Sequence, residues 1–134
     1  MTVTVIQIGL HPNVVDYESP EFARFPGLTP EKLQAAHDGN IGQLRQAGFD
    51  VDGCQVDLGE TAVDVVRRAI TRRRYDAVLI GAGIRLVSRN TLLFEAIVNT
   101  VHEHLPAARF IFNEDAVTSP NDIRRWFPDP AVAR

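Results

Sequence analysis

The sequence predicts an α/β protein: a parallel sheet of four strands with helices on both faces, a three-layer α/β/α arrangement. Three observations lead there. Apolar runs of strand length alternate with segments whose apolar residues recur every three to four positions. The run Ala77-Val78-Leu79-Ile80 is apolar throughout, as a parallel strand buried on both faces must be, and it stops at Gly81-Ala82-Gly83. From Asn90 to Leu105, residues Leu93, Ile97, Val101 and Leu105 share one helical face, with Thr91, Glu95, Asn99 and His102 opposite.

Taken in order, Val3 to Leu10 is rich in β-branched residues and reads as the first strand. A long connection follows, His11 to Leu28, interrupted by Pro12, Pro20 and Pro26. Connections in α/β units usually take about 2–6 residues, and longer ones tend to cover binding sites. Within it, Ser19-Pro20-Glu21 has the residues of a short helical turn, serine as N-cap and proline first. Thr29-Pro30-Glu31 repeats the signal and opens the first long helix, which ends near Gly48. Gly39 and Gly42 weaken that helix by about 1 kcal/mol each relative to alanine. Val51 to Leu58 is the second strand, interleaved with Asp52, Gln55 and Asp57. Thr61 and Asp64 have the spacing of a capping box for a helix over Ala62 to Arg73, with Ala62, Val66, Ala69 and Ile70 as its apolar stripe. Ala77 to Ile80 is the third strand and Arg109 to Asn113 the fourth. Ser119-Pro120-Asn121-Asp122 opens a short last helix carrying Ile123 and Trp126, and Pro128 stops it.

Composition narrows the class. A length of 134 residues suits a single domain, 1–134, with a real core and a long loop or lid at 11–28. The net charge of −3 argues against a nucleic-acid partner, because phosphate binders carry a basic surplus or face. Cys54 is the only cysteine, so no internal disulfide forms and a reducing compartment is expected. Met1 to Val5 has no basic leader, and no apolar stretch has transmembrane length. The expected location is cytoplasmic, with no membrane partner.

Strand order follows from which strands are apolar on both sides. The third is apolar throughout and the first nearly so, Gln7 excepted; the second and fourth carry polar residues. The first and third therefore lie in the middle, giving order 2-1-3-4, a truncated flavodoxin-like (or Rossmann-like) sheet. Right-handed crossovers put the first and last helices on one face and the middle two on the other. In this order the crossovers diverge between strands one and three, the place where open α/β sheets hold ligands. Gly9, Leu10, His11 and Pro12 border that crevice on one side, and Gly81, Ala82, Gly83, Ile84 and Arg85 on the other.

The residues there suggest a small anionic ligand. Gly81 and Gly83 let a ligand approach the backbone, although glycines that only make the turn look the same in sequence. Arg85 supplies a forked cation suited to carboxylate or phosphate. His11 is the candidate general acid or base, and Asn113 and Tyr17 are further candidate ligand contacts. Other constellations fail. Asp57, Glu114 and Asp115 all sit at strand ends, but strands two and four are three spacings apart, roughly 14 Å, too far for one metal ion. His102 and His104 lie two apart on a helix and do not share a face. Cys54 has no C-x-x-C partner and reads as a packed thiol. The arginines at 67, 68 and 72–74 read as a solvated face near a helix C-terminus.

Three functional classes follow from these features. The first is a small-molecule binding domain or enzyme acting at the crevice, its reaction undefined because no nucleophile, base and orienting group can be read together. The second is a non-enzymatic module that assembles as a homodimer through the fourth-strand edge, Phe110-Ile111-Phe112, with Trp126-Phe127 nearby. The third, a nucleotide or flavin binder, has the least support: Gly9-Leu10-His11-Pro12-Asn13-Val14 is neither G-x-G-x-x-G nor a Ser/Thr-rich phosphate loop. No cofactor is implied, and NAD is disfavoured.

Overall fold

The computed structural model of the protein describes residues 2–114 and 118–133. Strands β1 (Thr4–Leu10), β2 (Asp50–Val56), β3 (Ala77–Ile80) and β4 (Arg109–Phe112) are all parallel and ordered β2-β1-β3-β4. Helices α1 (Pro30–Gln46), α2 (Ala62–Ile70), α4 (Thr91–His104) and α5 (Ser119–Arg124) cover the sheet, and α3 (Ala82–Arg85) is a single turn after β3. This is the three-layer α/β/α architecture of flavodoxin-like and Rossmann-like proteins, with the strand order expected from the apolar runs.

Side chains alternate along each strand, so each face of the sheet has its own core. On one, Ile6, Ile8, Val78 and Ile80 pack with Val66, Ile70, Ile97 and Val101 of α2 and α4. On the other, Val5, Val51, Leu79 and Ile111 pack with Ile41 and Leu44 of α1 and with Ile123 and Phe127 at the α5 end. Burying each such side chain contributes about 1.5–3 kcal/mol, which is why the two apolar strands occupy the centre.

The caps test the local reading. Thr29 caps α1 through its hydroxyl, which accepts from Lys32 N at 3.2 Å. Ser19 likewise opens a 3-10 turn over Pro20–Phe22, its hydroxyl accepting from Glu21 N. The capping box at α2 does not form. Thr61 instead donates its N–H and its hydroxyl, the latter at 2.7 Å, to the Asp57 carboxylate four residues upstream. Those donors hold the Asp57 carboxyl below the usual carboxylate range. At the last helix Thr118 holds the N-cap position without a side-chain cap bond to a backbone N–H, its hydroxyl donating instead to Asp122 Oδ2 at 2.6 Å. Ser119 is buried, and its hydroxyl accepts from Asn113 Nδ2 at 3.1 Å.

No described helix is long and apolar enough to cross a membrane. Cys54 is buried in β2, and burial pushes its thiol up to about 11, so it stays protonated at neutral pH. Of the carboxylates considered for a metal, Asp57 and Glu114 follow the two opposite edge strands, and Asp115 lies outside the described residues.

Candidate functional site: a glycine-floored cavity at the switch point

On its α1 side, the sheet changes character along the strands. Towards the N-terminal ends it presents Val3, Val5, Val51, Ala77 and Leu79. By the same alternation, Gln7, Gly9, Gly53, Gly81 and Asn113 follow on that face towards the C-terminal ends. Three of these five have no side chain, so the sheet does not fill the space beneath α1. A cavity of about 200 Å³ remains there. Gln7, Gly9, Leu79, Gly81 and Asn113 form its sheet side; Leu33, Ala36, His37 and Asn40 of α1 form a wall. Phe22, Phe25 and Leu28, all from the 11–28 segment, complete the lining.

The polar part of this lining is a chain of three side chains. Gln7 and Gly53 are register partners on β1 and β2. A Cβ on Gly53 would lie 2.9 Å from His37 Nε2, so glycine is what lets the imidazole rest against the sheet. Gln7 Nε2 faces His37 Nδ1 at 2.9 Å and the His37 carbonyl at 3.2 Å. The carbonyl only accepts, so the Gln7 amide nitrogen must donate, and its oxygen turns to accept from Asn40 Nδ2. His37 Nδ1 therefore accepts, and the proton of the neutral ring sits on Nε2. Burial also pulls the His37 pKa below the ordinary histidine value, against a smaller opposing effect of Asp38. Asn40 is 3% exposed, and its Oδ1 is left without a hydrogen-bond partner.

The covering segment is fastened chiefly through Glu21 to the stretch before α4. The Glu21 carboxylate accepts from Arg89 N at 2.9 Å, Arg89 Nε at 2.8 Å and Ser88 Oγ at 2.8 Å. These donors, the Arg89 backbone N–H foremost, hold the Glu21 carboxyl below its usual range. Arg24 adds a bond to the Leu86 carbonyl. A tilted pair of rings, Phe22 and Phe25, stands 5.9 Å apart between centroids next to this fastening.

The residues singled out from sequence divide into two groups. Gly81, Gly83 and Asn113 line the cavity. Arg85 does not. Its guanidinium turns back on the chain: Nε donates to the Ile80 carbonyl at 2.8 Å, and Nη2 to the carbonyl and to Oδ1 of Asn113. It also stacks over the Phe112 ring, 5.1 Å from the centroid. Arg85 thus clips the end of β3 to the end of β4 and orients Asn113, whose amide is anchored at its other end by Ser119.

His11 and Tyr17 also lie outside the cavity lining. His11 Nδ1 accepts from Asn13 N at 3.1 Å and caps a 3-10 turn over Pro12–Val14; its ring borders an open groove with Glu31 and Asp38. Tyr17 donates its hydroxyl to the Pro12 carbonyl at 2.8 Å and so braces the covering segment. The turn after β1 uses its own amides: Asn13 N and Val14 N both bond to His11, and Pro12 has none to offer a phosphate.

His37 and Asn40 were missed from sequence, and Gln7 was noted only as an exception in an apolar strand. The available signal was Gln7 itself, a buried amide in a central strand that must find partners on the facing helix.

No family model matches the sequence, and no curated protein matches it. Fold and site together define a parallel α/β protein with a largely apolar, glycine-floored cavity at its topological switch point.

Proposed function

We propose that this protein binds a small, largely apolar molecule in the cavity between β1 and β3, beneath the 11–28 segment. One observation carries the reading: the sheet leaves a space of about 200 Å³ where glycines replace side chains, and a segment carrying two phenylalanines covers it. A packed core tolerates few such voids, and apolar pockets with a few polar groups are the usual form of small-molecule sites. The position agrees with the crevice expected from strand order. The lining contains no Lys or Arg, and Arg85 is committed to backbone carbonyls, so the geometry favours an uncharged ligand over the anion suggested by sequence. Among the residues lining the cavity, no nucleophile stands beside a base, and binding is the activity this arrangement supports.

The test is an NMR-detected fragment panel of neutral, anionic and cationic rings. Neutral fragments are expected to shift the Gly9, Gly81 and Gly83 amides, and Ala36→Trp, which places an indole in the cavity wall, is expected to abolish the shifts. Binding of anions alone, or shifts that survive Ala36→Trp, refutes the reading.

A second reading, self-assembly through the β4 edge, draws on the exposure of Phe112 and Trp126, at 39% and 45%. Its support is smaller. Arg85 and Arg109 already stack on those two rings, and Arg125 Nη2 occupies the Phe112 carbonyl at 3.0 Å. Light scattering decides it: a monomer at high concentration removes it.

A further inference from the structure

We infer that two copies of this chain pair their β2 edges antiparallel about a two-fold axis at Cys54, continuing the sheet from four strands to eight. This concerns the sheet edge opposite β4 and does not depend on the cavity reading.

The main-chain groups of β2 carry the inference. Asp50 N donates to the Val3 carbonyl and His11 N to the Val56 carbonyl, so the even-numbered residues face β1 at both ends of the strand. The register with β1 is unbroken from Asp50 to Val56, so alternation turns the N–H and C=O of Val51, Gly53 and Gln55 outward. Arg45 Nη2 takes the outward Val51 carbonyl at 2.8 Å. The outward groups of Gly53 and Gln55 have no main-chain partner among the described residues, and Gly53 is exposed. Edge strands are ordinarily guarded by charge, proline or a bulge, and Gly53-Cys54-Gln55 has none of these. The β4 edge differs: it is shorter, and Arg125 already occupies its Phe112 carbonyl.

The spacing of the free groups selects a second copy. In an antiparallel pair, hydrogen-bonded and non-hydrogen-bonded pairs alternate. With Cys54 opposite Cys54 as a non-hydrogen-bonded pair, Gly53 exchanges both of its bonds with Gln55 of the second copy, and Gln55 with Gly53. Every free group is used, and Arg45 keeps the Val51 carbonyl.

Charge agrees with this register. Arg68 and Arg72 line a groove between α2 and the β2 edge with Gly53, Cys54 and Gln55. Neither arginine has an ion-pair partner among the described residues. Asp52 lies on the same face of the sheet as Cys54 and Val56. Arg73 and Tyr75 both donate to its Oδ2, leaving Oδ1 to accept another donor. The antiparallel register sets Asp52 opposite Val56 of the second copy, beside that copy's groove, and the two-fold axis makes the contact twice.

The test combines light scattering with amide exchange on the full chain over a range of concentrations. A mass of two chains is expected at high concentration. The Gly53 and Gln55 amides are expected to exchange about tenfold more slowly once about nine-tenths of the chains are paired, because exchange then waits on the unpaired fraction. Gln55→Pro removes a donor that faces away from β1, so the ladder to β1 survives and a monomer is expected. Arg68→Glu, on the exposed side of α2, sets a carboxylate near Asp52 of the second copy and is expected to weaken pairing about tenfold. A monomer at the highest soluble concentration overturns the inference. So does a dimer that neither substitution weakens, or one whose Gly53 and Gln55 amides still exchange fast, because assembly then uses another surface such as the β4 edge. Where Gln55→Pro does not fold, exchange at these two amides in the unaltered chain decides.

Discussion

Replacing Arg85 by methionine separates a structural clip from a ligand-binding cation. The guanidinium donates to the Ile80 carbonyl at 2.8 Å, to Asn113 Oδ1 at 3.1 Å and to the Asn113 carbonyl, and stacks over Phe112 at 5.1 Å. A hydrogen bond from a charged donor is worth about 1.5–3 kcal/mol, and the three acceptors act as one unit whose contributions do not add fully. The side chain is half-buried, so water replaces part of what is lost, and methionine retains the contact with the Phe112 ring. The net loss is about 2–3 kcal/mol. For a chain of 134 residues this lowers Tm by roughly 7–11 °C. Calorimetry or a circular-dichroism melt measures it. Binding of neutral fragments in the cavity should change little, because Arg85 is not among the residues lining it. A melting point within about 2 °C of wild type, accompanied by loss of binding to benzoate or phosphate, refutes the clip and restores Arg85 as an anion receptor.

Three further outcomes are expected. Glu21→Ala removes the acceptor shared by Ser88 and Arg89, so amide hydrogen exchange should accelerate across residues 19–25 and bound neutral fragments should leave faster; unchanged protection there refutes the fastening. His37 has a lowered pKa in the folded state, so the unfolded chain takes up the proton first as pH falls. Its contribution to stability is therefore fully present above pH ~6.5 and lost below it, and the urea midpoint should fall between pH 7 and 5 less steeply in His37→Gln than in wild type. Equal slopes would show that the ring is not held neutral. Gly53→Ala sets a methyl 2.9 Å from His37 Nε2 and 3.0 Å from Ile41 Cδ1, so the imidazole must leave the sheet. Affinity for neutral fragments should drop, and the ring nitrogen shifts should report loss of the Gln7 bond; an unaltered His37 spectrum counts against this account of the polar chain.

The sheet was legible because burial on two faces demands a continuous apolar run. Ala77–Ile80 is buried at every position, and only a central place in a covered sheet provides for that. Once β1 and β3 are central, the crossovers fix the switch point; Gly81 and Gly83 follow β3 there, and Asn113, after β4, flanks β3. Side-chain commitments were less legible. An arginine just past a strand end reads as a free cation, yet strand ends also expose carbonyls, and Arg85 takes the carbonyls of Ile80 and Asn113. Thr61 failed for the same reason: the spacing to Asp64 is right for a capping box, but Asp57 competes for the same donors from the other side.

The polar chain illustrates a limit set by register. Spacing along α1 places His37 and Asn40 near one another, since residues three apart share a helical face. Nothing in that spacing says that Gln7 lies beneath them, or that Gly53 stands beside Gln7, because both facts depend on how β1, β2 and α1 are set against one another. One part of the pattern is nonetheless local. On alternate positions β1 reads Val3, Val5, Gln7, Gly9 and β2 reads Val51, Gly53, while the third strand continues from Leu79 to Gly81. On the α1 side β1 and β2 pass from apolar to polar or small at the paired Gln7 and Gly53, while β3 still presents Leu79 at that height and changes one alternation later, at Gly81. A core face that needed filling there would carry larger side chains. A loss of volume on the two central strands, at Gly9 and Gly81, ending at the switch point and covered by a proline-broken segment, is the feature on which the proposed binding site rests.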